Sequence, residues 1–259
     1  MSSGEERALA APRDRRTVVP LGDAGVGGGR FAVFAGPTRA TDRASSIEIG
    51  KAFAAAGVAL LHNGTTSQDD PHDRPSREEV SILAELREQT GLPVAAPITD
   101  IADVENVGDA ADVVQLAGYH MQNYRLLKEL GQLDRPVILR RGTANTVDEL
   151  VSAAEYVLVE GNPNVILCEH GIRTFERLYE LTVDFAAVPL LKERTHLPIV
   201  VDPSSAAERP SVVSALALAA AAAGADGIIL EAWPQHLDLY LDIVARATDA
   251  AATLQTQSH

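Results

Sequence analysis

Eight short apolar runs recur along this chain, each ending on a polar tip and followed by a helix-like stretch. They are FAVFAGP (31–37), GVALLHNG (57–64), LPVAAPIT (92–99), ADVVQLAGYH (111–120), RPVILRR (135–141), NVILCEHG (164–171), LPIVVDPS (197–204) and DGIILEAW (226–233). Continuous apolar runs mark strands buried on both faces, and helices between them mean a parallel sheet. Eight such units in 259 residues favour a closed α/β barrel of the (β/α)8 type over an open sheet. Helices are expected at 45–57, which starts on serines and stops at Gly57, at 77–91, with early acids and Gly91 at its end, at 147–161, with apolar residues at helical spacing, and at 209–224, with a proline near its start and Gly224 at its end,. Before the first run, TVVPLGDAGVGGG (17–29) reads as a short β-hairpin. A strand rather than a helix follows GVGGG, so it is not a dinucleotide fingerprint,. The expected organisation is an unstructured N-terminus (1–16), a single barrel domain (17–252) and a tail (253–259), polar termini usually being poorly ordered.

The formal net charge of −14 argues against a general affinity for nucleic acid or anionic membrane, both of which need a positive field. The first residues lack the apolar core of a signal peptide, and no apolar run reaches the ~20 residues of a membrane span. One cysteine, Cys168, allows no intrachain disulfide and fits a reducing cytoplasm.

Barrels of this kind place their chemistry at the C-terminal strand ends. The candidate residues are therefore the polar tips: Thr38 and Arg39; His62 and Asn63; Thr99; Tyr119 and His120; Arg140 and Arg141; Glu169 and His170; Asp202, Ser204 and Ser205; Glu231 and Trp233. Two arginines ending one apolar strand suggest an anion site. Glu169, Asp202 and Glu231 are read either as catalytic carboxylates or as partners of those arginines. Histidines at three tips (62, 120 and 170) point to at least one acid/base group. Trp233 reads as a pocket wall. His72, His196, His236 and His259 read as solvated.

The stretch RPVILRRGTANTVDELVSAAEYVLVEGNPNVILCEHGIRTFE (135–176) resembles the core of the type I 3-deoxy-7-phosphoheptulonate (DAHP) synthases. So do AGP (35–37), MQNYRLLKEL (121–130), LTVDFAAVPLLKERTHLPIVVDPS (181–204) and GADGIILEAWP (224–234). The resemblance implies a (β/α)8 barrel and a dimer or tetramer. It also implies a reaction joining phosphoenolpyruvate to an aldose phosphate at a divalent metal held by Cys, His, Glu and Asp. The departures fall on the tips. Thr38 stands for the metal cysteine and Ser205 for the metal histidine, Glu231 is kept, and the acidic loop after it is missing. Tyr119 and His170 replace arginines, Arg140 replaces a lysine, and the aldose-phosphate loop has become TTSQDDPHD (65–73).

These departures lead to the expectation of a repurposed enzyme working without the ancestral metal or any cofactor on a small anionic carbonyl substrate. The expected chemistry is aldol or retro-aldol, dehydration, cyclisation or isomerisation, in a setting of specialised metabolism. In this reading His120, His170, Glu231, Asp202 and Glu169 are catalytic. Arg140, Arg141, His62, Asn63, Tyr119, Thr38, Arg39 and Trp233 bind substrate. No lysine stands at a tip, which disfavours a Schiff base. The alternatives are a new metal site built from His62, His120, His170 and Glu231, a non-catalytic partner of a true synthase, and the ancestral reaction itself.

Overall fold

The computed structural model describes residues 9–64, 75–108, 110–207 and 209–257. Asp69, Asp70, His72, Asp73 and His259 lie outside them. The hairpin is β1 (Val18–Leu21) and β2 (Ala24–Gly27), paired antiparallel. The barrel strands are β3 (Ala32–Pro37), β4 (Leu60–His62), β5 (Val94–Ile98), β6 (Val113–Leu116), β7 (Val137–Arg140), β8 (Val165–Glu169), β9 (Ile199–Val201) and β10 (Gly227–Ala232). All eight pair in parallel, each with the next, and β10 closes on β3. The helices are α1 (Arg43–Ala55), α2 (Arg77–Thr90), α3 (Ile101–Gly108), α4 (Tyr124–Gly131), α5 (Val147–Val159), α6 (Ala187–Arg194), α7 (Pro210–Ala222) and α8 (Leu237–Gln257). The barrel expected from the eight runs is therefore the fold.

Local chemistry fixes the helix ends. Ser76 and Glu79 form a reciprocal capping box on α2, and Thr146 and Glu149 form one on α5,. Gly91 ends α2 at φ 71°, a left-handed conformation that only glycine adopts without steric cost. One apolar core lies between sheet and helices, and a second fills the barrel. Val19, Leu21 and Val26 of the hairpin belong to that inner core. With Thr17 N–H donating to the His196 carbonyl just before β9, the hairpin closes the N-terminal end of the barrel and leaves the other end for chemistry.

Both termini differ from expectation over their described residues. Leu9 and Ala10 donate their N–H groups to the Glu155 carboxylate of α5 at 3.0 and 2.7 Å. Arg16 donates to the carbonyls of Lys192 and Thr195. His196, expected to be solvated, is buried. It bonds Thr17 Oγ1 through Nδ1 at 2.6 Å and meets the Leu9 carbonyl through Nε2 at 2.7 Å. The segment 9–16 is thus tied down by polar anchors that hydropathy does not register. At the other end α8 runs to Gln257 instead of ending near 252. Its stripe of Tyr240, Ile243, Val244, Ala247 and Ala251 stays buried, and the last turns continue from it. Among the described residues no helix is long and apolar enough to cross a membrane.

Candidate active site

Strand alternation sorts the tips. Phe34, Leu60, Ala95, Val113, Ile138, Ile166, Val200 and Ile229 share the inner core. Two residues further along a strand the side chain returns to the same face. That step gives Gly36, His62, Pro97, Gln115, Arg140, Cys168, Asp202 and Glu231. An inner polar layer therefore caps the apolar one at the C-terminal end of the barrel. The opposite parity, Leu139 and Leu167, belongs to the outer core, and it carries Arg141 and Glu169 outward with it.

Arg140 is completely buried. Its Nη2 is bonded to Asp202 and lies 3.6 Å from Glu231 Oε1, while Nη1 donates to Ser205 Oγ at 3.3 Å. Burial opposes its charge, but Asp202 and Glu231 outweigh burial and hold it firmly protonated. Burial likewise opposes ionisation of Asp202, and Arg140 and Ser205 more than reverse this, keeping the carboxyl below its ordinary range. Asp202 also accepts from the N–H groups of Ser204 and Ser205 at 2.9 and 3.1 Å, and from Ser205 Oγ at 2.6 Å. Glu231 has the reverse fate. Burial, with Asp202 nearby, pushes its carboxyl up to about 8 despite Arg140. At neutral pH it carries a proton.

His62 Nε2 lies 2.6 Å from Gln115 Oε1, and its Nδ1 faces Glu231 Oε1 at 4.0 Å. Burial, then the charge of Arg140, lowers His62 to about 4. The same two causes lower His170 to about 4; its ring leans on the Arg141 carbonyl without a well-directed hydrogen bond. Both imidazoles are thus neutral above acidic pH. Among the described residues the buried atoms Thr38 Oγ1, His62 Nδ1, Gln115 Nε2, Arg140 Nε, Glu231 Oε1 and both nitrogens of His170 have no hydrogen-bond partner. Such groups are rare in a finished interior, where an unmade bond costs ~1–3 kcal/mol.

Several expected roles change. Arg141 donates to Glu169 at 2.8 Å and to Asp184 at 3.0 Å, and through Nε to the Asn145 carbonyl at 2.8 Å. Glu169 also accepts from the Gly171 N–H at 2.8 Å. This is a scaffold ion pair outside the barrel wall. Neither arginine is a ready anion clamp: Arg141 already faces the carboxylates of Glu169 and Asp184, and Arg140 faces the Asp202 carboxylate and the Glu231 carboxyl. Tyr119 is 59% and Trp233 51% exposed, so neither is enclosed in the inner layer. Thr38, Arg39 and Trp233 line a separate cleft of about 400 Å³ between the ends of β3 and β10 and the start of α1, and Arg39 pairs with Glu79. Asn63 Oδ1 accepts from the Ala40 N–H at 2.8 Å. His120 sits half-buried in a 3-10 turn, Gly118–His120, beside Tyr119.

Gln115 and Asp184 escaped the sequence reading. Gln115 sits inside its strand rather than at the tip, and counting in twos from Val113 finds it. Asp184 lies in the loop after β8, where no sequence signal ties it to Arg141.

The divalent metal implied by the resemblance does not fit these residues. Ser205 Oγ is committed to Asp202, and the one retained carboxylate, Glu231, lies 3.6 Å from a guanidinium. Thr38 offers only a neutral hydroxyl, a poor ligand beside a single carboxylate. The alternative set of His62, His120, His170 and Glu231 is not assembled either. Among the described residues no three His, Cys, Asp or Glu side chains are placed to hold a metal ion.

A closed parallel barrel with a buried layer of titratable groups at its C-terminal mouth has the architecture of a barrel enzyme. Residues 18–242 match the model of the DAHP synthetase I family, and the chain belongs to that family. It is 37% identical over 222 residues to the phospho-2-dehydro-3-deoxyheptonate aldolase of Thermotoga maritima, covering 85% of this chain and 66% of that protein. The chain thus spans just under two thirds of this relative's length. It is 28% identical over 228 residues to the 2-dehydro-3-deoxyphosphooctonate aldolase of Syntrophobacter fumaroxidans, covering 80% and 78% of the two chains. Among solved structures, the truncated 3-deoxy-D-arabino-heptulosonate 7-phosphate synthase from Thermotoga maritima superimposes with a TM-score of 0.89. The identity is 32%, over 96% of this chain and 98% of that one.

Proposed function

We propose that this protein is an enzyme making or breaking a carbon–carbon bond of the aldol type, with Glu231 as the proton donor. The relatives' names supply the reaction class; the inner layer supplies the chemistry. One observation carries the reading: a buried carboxyl held up to about 8, one oxygen of which makes no hydrogen bond among the described residues, 4.0 Å from the His62 imidazole. A general acid works best with a pKa near the operating pH. In the condensation direction, the neutral imidazole of His62, whose Nδ1 faces Glu231 Oε1 at 4.0 Å, takes the α-proton of the donor. The resulting carbon attacks the acceptor carbonyl, and Glu231 protonates its oxygen to a hydroxyl. The imidazolium then returns its proton to Glu231, and cleavage reverses each step. Asp202 and Arg140 act through Glu231 and are positioning residues.

The test is turnover of pyruvate with short aldehydes, in both directions and with chelator present. Glu231→Gln is expected to lower kcat by ~10²–10⁴, the usual contribution of a general acid. Undiminished kcat in that variant would refute the role of Glu231. A second reading has its own support, the 37% identity to the Thermotoga aldolase: the chain performs that relative's reaction. Phosphoenolpyruvate with erythrose 4-phosphate, with and without manganese, tests it, and metal-dependent product would establish it over the first.

A further inference from the structure

We propose that Gln115 is a positioning residue: its side-chain carbonyl holds the His62 imidazole in the tautomer with the proton on Nε2, and so leaves Nδ1 as the proton-accepting atom turned towards Glu231. This rests on the acid/base roles given to His62 and Glu231 above, and it names the group that decides which nitrogen serves as base. Gln115 of β6 and His62 of β4 are each 1% exposed. Strands β4, β6 and β10 are alternate strands of the closed barrel, and alternate strands send their inward side chains into one interior layer. The two side chains therefore meet although β5 lies between their strands.

Gln115 Oε1 lies 2.6 Å from His62 Nε2. A carbonyl oxygen carries no proton, so at this distance the ring is the donor. A neutral imidazole has one N–H, and committing it to Gln115 leaves a lone pair on Nδ1. Burial and the charge of Arg140 keep the ring neutral, so no second proton fills that position at neutral pH. Nδ1 faces Glu231 Oε1 at 4.0 Å, and neither atom has a hydrogen-bond partner among the described residues. With Glu231 protonated, this pair consists of one donor, the carboxyl, and one acceptor, Nδ1. The other tautomer would set the Nε2 lone pair against that of Gln115 Oε1, a buried repulsion. In the reaction the Nδ1 lone pair forms the new N–H bond with the α-proton, and the C–H electron pair stays on carbon. The ring then holds both protons, and Gln115 Oε1 accepts from Nε2 throughout. Return of the Nδ1 proton to Glu231 restores the starting tautomer without the ring turning over.

The experiment is long-range proton–nitrogen correlation spectroscopy of the whole protein, labelled with nitrogen-15 at histidine, at neutral pH. His62→Phe identifies the His62 signals by their loss. The expected wild-type spectrum shows a pyrrole-type Nε2 and a pyridine-type Nδ1 for His62. Gln115→Met keeps the length of the side chain and removes the amide, and this preference should disappear. In that variant kcat for pyruvate with short aldehydes should fall by ~10–100-fold with KM unchanged, a part of the ~10²–10⁴ that a positioned base supplies. A merely structural glutamine would lower Tm and leave the tautomer as it was. His62 protonated on Nδ1 in the wild type would overturn the inference, and that spectrum requires no variant to fold. So would a Gln115→Met protein that keeps the wild-type tautomer, or one that loses it with kcat unchanged. The expected spectra in both proteins without any turnover would uphold the hold of Gln115 on the ring and sink the carbon–carbon reading. Turnover by a wild type protonated on Nδ1 would do the reverse.

Discussion

Glu231→Gln should change how stability depends on pH, and the size of the change follows from the site. In the folded chain the carboxyl titrates at about 8, against 4.5 for an ordinary glutamate. Below 4.5 both states hold the proton. Between 4.5 and about 8 the unfolded chain releases it and the folded chain keeps it, so the folded state binds one proton more. Stability then falls as pH rises, by ~1.4 kcal/mol per pH unit. Above about 8 both states are ionised and the slope vanishes. His62 and His170 act in the opposite sense and in another window. Lowered from 6.5 to about 4, they remove stability as pH falls through 6.5 towards 4; their slope dies away within about a pH unit above 6.5 and is common to wild type and variant. From pH 6.5 to 8 the difference between wild type and variant therefore reports Glu231 alone, and its span of 1.5 units is worth about 2 kcal/mol. Denaturant unfolding of wild type and Glu231→Gln at pH 6.5, 7.2 and 8 measures this directly. The variant should gain on the wild type by that amount across the window. Parallel curves would mean that Glu231 is already ionised in the folded protein, and the proton-donor role would fall with it.

Two further variants test the packing of charge. Asp202→Asn should destabilise by only ~1–3 kcal/mol, because Glu231 can ionise and replace the lost partner of Arg140. The double variant with Glu231→Gln leaves a buried guanidinium unpaired, which costs ~3–5 kcal/mol. Unfolding free energies that add to within ~0.5 kcal/mol would show that Arg140 does not couple the two carboxyls. Glu155→Ala removes the acceptor of the Leu9 and Ala10 N–H groups. A loss of ~1–3 kcal/mol and faster tryptic cleavage after Arg13 and Arg15 should result; unchanged cleavage would mean that the segment is held by Arg16 and His196 alone.

The barrel was legible because two-sided burial writes itself as continuous apolar runs, and eight of these with helices between them leave few alternatives. Helix limits followed from side chains that bond their own backbone, as Ser76 and Thr146 do. The ends of the chain were not legible. Segment 9–16 docks through hydrogen bonds to Glu155 and His196 from distant elements, which leave no periodicity. The last turns of α8 extend a buried stripe that stops at Ala251, and polarity alone misreads them as tail.

The site was legible as a place and only half legible as chemistry. Tip position selected Arg140 and Arg141 together, yet adjacent residues on a strand face opposite ways. One parity builds the inner layer of His62, Gln115, Arg140, Asp202 and Glu231. The other builds the wall, where Arg141 and Glu169 bond each other. Counting from Ile138 and Ile166 would have made that division from sequence, and would have added Gln115. It would not have set the charge balance, which depends on how close Asp202 and Glu231 come to one guanidinium. That closeness keeps Asp202 ionised and Glu231 protonated: two carboxyls cannot both be fully compensated by a single buried cation, so the one with fewer hydrogen bonds keeps its proton. Asp202 accepts from Ser204 N–H, Ser205 N–H and Ser205 Oγ, whereas Glu231 Oε1 accepts from no described group. The serine at 205, standing where the resemblance places a metal histidine, thus acts on Glu231 at one remove, by fixing the negative charge on its neighbour.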